Sequence, residues 1–278
     1  KVLNFGSLNY DYVYDVDHIV QPGETINSQG MGTFFGGKGL NQSIALAKAG
    51  VAVYQAGLVG EDGADFYRVC KENHVDTTYL GQVDGKSGHT IIQVDRNAQN
   101  CILLYGGSNR RMTKEYIDSV LDHFEAGDIL VLQNEINCLD YVIDRAYEKQ
   151  MTIILNPSPY DSGLDSCDLT KVSVFSAYAE PQKILDVMRE KFPASKIVLT
   201  LGGDGSVYAD GEQQIRQPIY KVKAVDTTAA GDTFNGALCV GLSEGMDLKQ
   251  AAVMASKASS IAVTRMGAQS SIPYREEL

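Results

Sequence analysis

Apolar and polar positions follow three different rhythms along the chain. The opening run "VLNF" is continuously apolar but for one Asn and ends in Gly6 and Ser7, which predicts a short strand. Tyr10, Tyr12, Tyr14 and Val16 then alternate with mostly acidic residues, a period of two that predicts a half-buried strand. "IVQPGE" turns the chain, and "TINSQGMGTFF" predicts another exposed strand. These early segments are expected to pair antiparallel and to leave one face open. From Gly39 the period becomes helical and stops at Gly50. After it, the apolar runs "VYQAGLVG", "DILVLQ", "MTIILN", "VSVF" and "KIVLTLG" predict strands. The stretches "ADFYRVCKEN", "TKEYIDSVLDHF", "LDYVIDRAYEKQ" and "PQKILDVMREKF" predict the helices between them. "HTIIQVD" and "NCILLYGG" predict a second polar-alternating hairpin, "GSVYAD" with "EQQIRQPI" a third, and two late helices are expected over Gly231–Glu244 and Leu248–Arg265.

Apolar strands alternating with helices predict an α/β fold, a mostly parallel sheet flanked by helices on both faces. The two early hairpins predict a small β-sheet lid, from about residues 9–35 and 88–106, on a single domain spanning 1–278. Ligands in such sheets sit at the carboxyl ends of the strands.

Composition narrows the partners. Net charge is −11 and no basic run stands out, which argues against nucleic acid, whose phosphates need clustered Lys and Arg. Cys70, Cys101, Cys138, Cys167 and Cys239 are scattered and form no C-x-x-C pair. A disulfide framework or zinc site is not expected, and a reducing cytoplasm is. No apolar run reaches transmembrane length, so no membrane partner is expected. The start lacks a signal-peptide apolar core and an initiator Met, so some trimming there is expected.

Two loops carry candidate chemistry. In "MGTFFGGKGLNQS", Gly32, Gly37 and Lys38 fit the first half of the phosphate-binding pattern G-x-x-x-x-G-K-[ST]. Gly39 stands where the pattern needs a hydroxyl for Mg²⁺, and Gly36 and Gly37 alone could equally make a tight turn. In "AVDTTAAGDTFNGAL", a strand end runs through small residues into a helix whose Phe234, Ala237, Leu238, Gly241 and Leu242 share one face. Ala229, Ala230 and Gly231 therefore lie at a helix N-terminus, where free N–H groups and the positive dipole end suit an anion. Asp232 in the first turn reads two ways. It stabilises the helix end by about 0.3–1 kcal/mol, or it is a general base for a hydroxyl attacking a phosphoryl group.

"GGKGLNQS" and "DTTAAGDTF", in that order and at that separation, resemble the two signatures of the ribokinase-like, or phosphofructokinase-B, family of carbohydrate kinases. The likeness runs from "GSLNYD" to "AVTRMGAQSSIP", nearly the whole chain. It implies one α/β domain with a β lid, and transfer of the ATP γ-phosphoryl group to the terminal hydroxyl of a pentose. D-Ribose, giving ribose 5-phosphate, is the first expectation. Fructose, a deoxysugar, a nucleoside, or binding of sugar or nucleotide without full catalysis are the alternatives.

By the same resemblance, Gly36, Gly37, Lys38 and Asn41 hold the sugar rather than ATP, together with Asn9, Asp11, Glu135 and Asp232. Asp232 is then the base, and the N–H groups of Ala229, Ala230, Gly231 and Asp232 form the anion hole. Thr200, Gly202 and Gly205 of "TLGGDGS" lie beside the adenine nucleotide, whose phosphates Mg²⁺ bridges. K⁺ is held by Asp226, the carbonyls of Thr228, Ala262, Arg265 and Gly267, and Ser271. Read without the family, that tail is a helix end stopped by Gly267 and Pro273. The family usually carries Asn-x-x-Glu after the strand that here reads "VSVF"; this chain has Ala177 three before Glu180, and no metal role is assigned to Glu180. Met31, Phe34 and Ile92 are expected to tune the pocket. Exposed Tyr-rich lid strands need cover, which predicts a homodimer through the lids. A dinucleotide oxidoreductase is disfavoured, since no G-x-G-x-x-G follows the first strand.

Overall fold

A computed structural model describes residues 1–97, 99–178, 181–211 and 213–278, the side chains of 181–183 excepted. The chain begins with β1 (Val2–Phe5), β2 (Asn9–Asp15), β3 (Gly30–Gly36), α1 (Lys38–Lys48), β4 (Val53–Val59), α2 (Ala64–Glu72) and β5 (Leu80–Gln82). There follow β6 (Gly88–Val94), β7 (Asn100–Tyr105), α3 (Lys114–Leu121), β8 (Ile129–Gln133), α4 (Leu139–Glu148) and β9 (Thr152–Asn156). Last come β10 (Val174–Tyr178), α5 (Pro181–Lys191), β11 (Lys196–Thr200), β12 (Ser206–Asp210), β13 (Gln213–Gln217), α6 (Ala230–Ser243) and α7 (Leu248–Ala262).

The main sheet has nine strands in the order β13-β12-β11-β10-β9-β8-β1-β4-β5. It is parallel from β11 to β5 and ends in the antiparallel hairpin β12–β13. Alternate strand residues face opposite layers, as the pleat requires. Leu3, Phe5, Leu130 and Leu132 pack with Ile117 of α3 and Ile143 of α4. Val2, Val131 and Ile154 pack with Leu40 and Ile44 of α1 on the other side. Each such side chain, fully buried, contributes about 1.5–3 kcal/mol. The topology reverses at β1 and β8: from β1 the chain proceeds to β4, from β8 to β9 on the other side. Ligand crevices of open α/β sheets form at the carboxyl ends of such a pair.

A separate four-stranded sheet, in the order β3-β2-β6-β7, forms the lid. Its outer pairs are antiparallel as expected, but the central pair β2–β6 is parallel. The two hairpins meet in a parallel pair, which their own patterns did not specify, because the main-sheet strands β4 and β5 and two helices intervene between β2–β3 and β6. Only strands joined by a short turn are bound to run antiparallel. In the register Asp11 stands opposite Phe34 and Thr90, and Val13 opposite Ile92, whereas Met31 stands opposite Tyr14. Met31 thus lies on the tyrosine face, not on the Asp11 face that Phe34 and Ile92 share. The tyrosine face packs down on the body through Tyr10, Phe35 and Phe66. β5, only three residues long, had no legible pattern of its own.

Helix α6 carries its Phe234, Ala237 and Leu238 against Val198 of β11 and Tyr208 of β12. Its other side meets α1 at close range. A Cβ at Gly236 would stand 2.3 Å from Ala45 Cβ, so only glycine permits this approach. One helical turn before Gly236 is Asp232, and one turn before Ala45 is Asn41. Parallel packing of the two helices thereby fixes which side chains meet at their N-terminal ends.

Candidate active site

Both helix N-terminal ends open on the β1/β8 crevice. Asp232, 9% exposed, accepts hydrogen bonds from Asn41 Nδ2 on Oδ2 at 3.1 Å and from Gln42 Nε2 on Oδ1 at 3.0 Å. Glu135, just beyond β8, accepts the Ser7 hydroxyl and the Lys38 backbone N–H at 2.9 Å, a carboxylate on a helix N-terminus. Lys38 Nζ stands 3.9 Å from Glu135 Oε1. The lid contributes Asp11, whose Oδ1 accepts the Thr90 hydroxyl at 2.6 Å. Asn9 is buried, with its Oδ1 held by Asn109 Nδ2 at 2.7 Å. With its Oδ1 held, the Asn9 side chain has its Nδ2 hydrogens left to donate.

Glycine at the loop "GGKG" has a steric cause. A Cβ at Gly39 would lie 2.4 Å from the Ser7 nitrogen and 2.5 Å from the Gly6 carbonyl carbon, backbone atoms that cannot swing aside. A Cβ at Gly36 would overlap the Asp11 carboxylate, within 1.9 Å of Oδ2. The Ser or Thr that completes a phosphate-binding loop is thus excluded by the approach of α1 to the end of β1. This geometry is that of a polar cup, closed by Ser7, Lys38, Asn41, Glu135 and Asp232.

Burial pushes the Asp232 carboxyl above the ordinary carboxylate range, opposed by Lys38 and by the Gln42 and Asn41 amides, with Glu135 pushing it further up. Asp11 is raised as well, by burial foremost, against the pull of the Thr90 hydroxyl. A carboxylate held at raised basicity in a dry site is suited to take a proton. Asn41 Oδ1 is buried with no partner among the described residues, an acceptor that a bound hydroxyl would satisfy.

The loop before α6 shows the expected helix-end geometry with one difference. Ala229 caps α6 in a left-handed conformation, φ 57°, uncommon for a residue with a Cβ and a store of backbone strain. The Ala230 N–H is occupied, donating to the Thr227 carbonyl at 3.2 Å. Among the described residues no acceptor lies on the N–H groups of Ala229, Gly231 or Asp232, and the space beside Gly231 is open. Asp226 binds this loop to the chain's tail: Oδ1 accepts the Thr228 N–H at 2.8 Å and hydroxyl at 2.6 Å, and Oδ2 the Gly267 N–H at 2.8 Å. Burial tends to raise Asp226, but those hydrogen bonds outweigh it and hold the carboxyl low. The Ala262 carbonyl accepts the Arg265 N–H at 3.0 Å, and Ser271 donates to the Ala268 carbonyl at 2.7 Å.

Thr200 ends β11 and donates to the Ala177 carbonyl at 3.3 Å; Gly202 and Gly205 form the turn into β12, which is also the bland hairpin reading of "TLGGDGS". No hydrogen bond among the described residues joins this turn to Asp232. Ala177 lies at the carboxyl end of β10, and Glu180 lies outside the described residues. Ser7, Gln42, Thr90 and Asn109 had not been singled out in the sequence. For Gln42 a signal existed: on a helix starting near Gly39 it lies one turn beyond Lys38, on the same face.

The model of the family described as pfkB family carbohydrate kinase matches residues 1–275. The ribokinase of Bacillus subtilis is 33% identical over 282 residues, covering 98% of this chain and 96% of that protein. A ribokinase structure from Thermotoga maritima superimposes with a TM-score of 0.86 at 32% identity, over 99% of this chain and 97% of that one. The Arabidopsis thaliana ribokinase complexed with ribose and ATP gives 0.84 at 26% identity, covering 99% of this chain and 96% of that one. With one family model spanning almost every residue and full-length relatives at a third identity, the chain belongs to the pfkB family of carbohydrate kinases.

Proposed function

We propose that this chain transfers the γ-phosphoryl group of ATP to the terminal hydroxyl of D-ribose. The observation that carries the reading is Asp232: buried, raised in basicity, and in the first turn of a helix whose Gly231 and Asp232 N–H groups meet no acceptor among the described residues. Asp232 takes the hydroxyl proton as the sugar oxygen attacks the γ-phosphorus in line. The new O–P bond forms as the bond from phosphorus to the β,γ-bridging oxygen breaks, and ADP leaves. The N–H groups of Ala229, Gly231 and Asp232 stabilise charge on the transferring group; Ala230, whose N–H is occupied, serves through its small size. Asn9, Asp11, Gly37, Lys38, Asn41 and Glu135 hold the sugar, since its hydroxyls need donors and acceptors together. Thr200, Gly202 and Gly205 line the nucleotide side.

Mg²⁺ bound to the ATP phosphates would neutralise their charge. Ala177 offers it no side-chain ligand. The donor set of Asp226, the carbonyls of Thr228, Ala262, Arg265 and Gly267, and Ser271 suits a weakly hydrated monovalent cation such as K⁺. Asp226 already clamps the two segments that carry those oxygens. Asp226→Asn is expected to raise the K⁺ concentration needed for half-maximal activation several-fold. An unchanged K⁺ titration would remove K⁺ from this site.

We also propose that two copies pair through their lids. Phe34 and Ile102 are each 57% exposed and Leu104 39%, on the face that carries Asp11. Such an apolar patch on a lid is one that association would cover. Phe34→Asp combined with Ile102→Asp is expected to turn a dimer into a monomer in light scattering at micromolar concentration. A parent that is already monomeric would refute the pairing. Five free, scattered cysteines fit a reducing cytoplasm. No helix among the described residues is long and apolar enough to cross a membrane.

The test of the reaction is ADP release from Mg-ATP with D-ribose, D-fructose, 2-deoxyribose or adenosine, with and without K⁺. Ribose turnover supports the reading as stated. Preference for another acceptor keeps the mechanism and replaces the substrate. Binding without turnover on any of them would favour a sugar-binding protein, for which Ala177 in place of the family's Asn is the one observation in support.

A further inference from the structure

Beneath Asp232 lies a chain of buried neutral amides that the proposed reaction does not touch. Gln42 is fully buried on α1 and donates to Asp232 Oδ1 from Nε2. Its Oε1 accepts from Gln133 Nε2 at 2.8 Å. The same Gln133 nitrogen donates to Asn4 Oδ1 at 2.9 Å, so both its hydrogens are committed. Asn4 Nδ2 in turn donates to the Gly39 carbonyl at 2.5 Å and to Ser43 Oγ at 2.8 Å. Ser43 donates to Gln55 Oε1 at 2.6 Å, and Gln55 Nε2 ends the chain on the Gly6 and Ala56 carbonyls at 3.1 and 2.7 Å. Asn4, Gln42, Ser43, Gln55 and Gln133 are all at 0% exposure.

This network has a direction. It begins at backbone carbonyls, which only accept, so each amide along it has one permitted orientation. Gln133, having spent both hydrogens, forces Gln42 to turn its oxygen inward and its NH₂ toward Asp232. A flipped Gln42 would face Gln133 donor to donor and Asp232 acceptor to acceptor. Such an arrangement, fully buried, leaves no other partner for either end.

We propose that Gln42, locked by Gln133 and Asn4, is a positioning residue that holds the Asp232 carboxylate in one orientation. The proposal rests on the reading of Asp232 as the phosphoryl-transfer base. Gln42 on Oδ1 and Asn41 on Oδ2 hold both oxygens of the carboxylate against rotation. The charged groups acting on Asp232 are Lys38, at the start of α1, and Glu135, after β8; the amides are the neutral counterweight to burial. Loss of one donor lets burial push the carboxyl further up, and a base that is protonated at working pH cannot accept a proton.

The experiment uses the full-length protein and two readouts. One is the pH profile of kcat and of kcat/KM for sugar and ATP. The other is the ¹³C titration of the Asp232 carboxyl without ligand, assigned by its absence in Asp232→Asn. In Gln42→Met, of similar length but without the amide, kcat is expected to fall about 10–100-fold, the scale of a hydrogen bond to a charged group. Both KM values are expected to stay within about twofold, and the acid limb and the carboxyl titration to move up together by about one pH unit. Gln42→Glu, which sets a second carboxyl against Asp232, is expected to move both further up. A carboxyl titration unchanged in both variants overturns the proposal, whatever the rates do. A titration that moves in a protein with no turnover on any acceptor leaves the hold on Asp232 standing and sinks the kinase reading instead. Should Gln42→Met not fold, the titration in Gln42→Glu decides alone.

Discussion

Asp232→Asn should lower kcat by about 10²–10⁴-fold, the range lost with a positioned general base. The substitution keeps the volume and leaves one oxygen to accept from Asn41 or Gln42, so sugar and ATP should still bind. Stability offers an independent check with a definite sign. A carboxyl whose pKa is raised by folding binds protons more tightly in the folded state. Its destabilising contribution is fully present above the folded pKa and vanishes as pH falls below the unfolded value, near 4 for Asp. At neutral pH, Asp232→Asn removes a buried charge and is expected to fold with a thermal midpoint close to the parent's. Loss of activity in a stable, ligand-binding variant would identify chemistry as what was removed. Activity within tenfold of the parent would end the assignment of Asp232 as the base.

Gly39→Ser should do harm where a pattern match would promise gain. It completes G-x-x-x-x-G-K-[ST] letter for letter. Yet its Cβ would fall within 2.6 Å of the Ser7 nitrogen, the Gly6 carbonyl carbon and the Ser7 oxygen. Overpacking costs about 1–3 kcal/mol. Because the obstacle is backbone, the upper part of that range is expected, with a midpoint about 3–8 °C lower. To relieve the clash, α1 must back away from β1. That moves the Lys38 N–H off Glu135 and Asn41 and Gln42 off Asp232. Steady-state kinetics should therefore show KM for the sugar raised and kcat lowered together. A stable, fully active Gly39→Ser enzyme would contradict the packing described.

Much of the architecture was legible from periodicity. Buried parallel strands are continuous apolar runs, and the helices between them show their apolar stripe, so β8, β9, β11, α2, α4 and α6 fall within a few residues of expectation. The lid was legible as two hairpins but not in how they join, since nothing in the alternation of Tyr10, Tyr12 and Tyr14 states that β6 lies beside them in parallel. Met31 illustrates the limit: an exposed lid residue by sequence, it stands by register on the face opposite Phe34 and Ile92.

The sequence by itself determined the α/β class, the lid, the small-residue loop before a helix and the carboxylate in its first turn. Those are local properties, written in period, turn chemistry and helix-end preference. The tertiary structure was needed to show why Gly39 must be glycine and how Asp232 meets Asn41 and Gln42 across a separation of 190 residues and more. The reason is physical. A hydrogen bond between distant residues depends on how closely two helices approach, and here that distance is set by Gly236 against Ala45 and by Gly39 against Ser7.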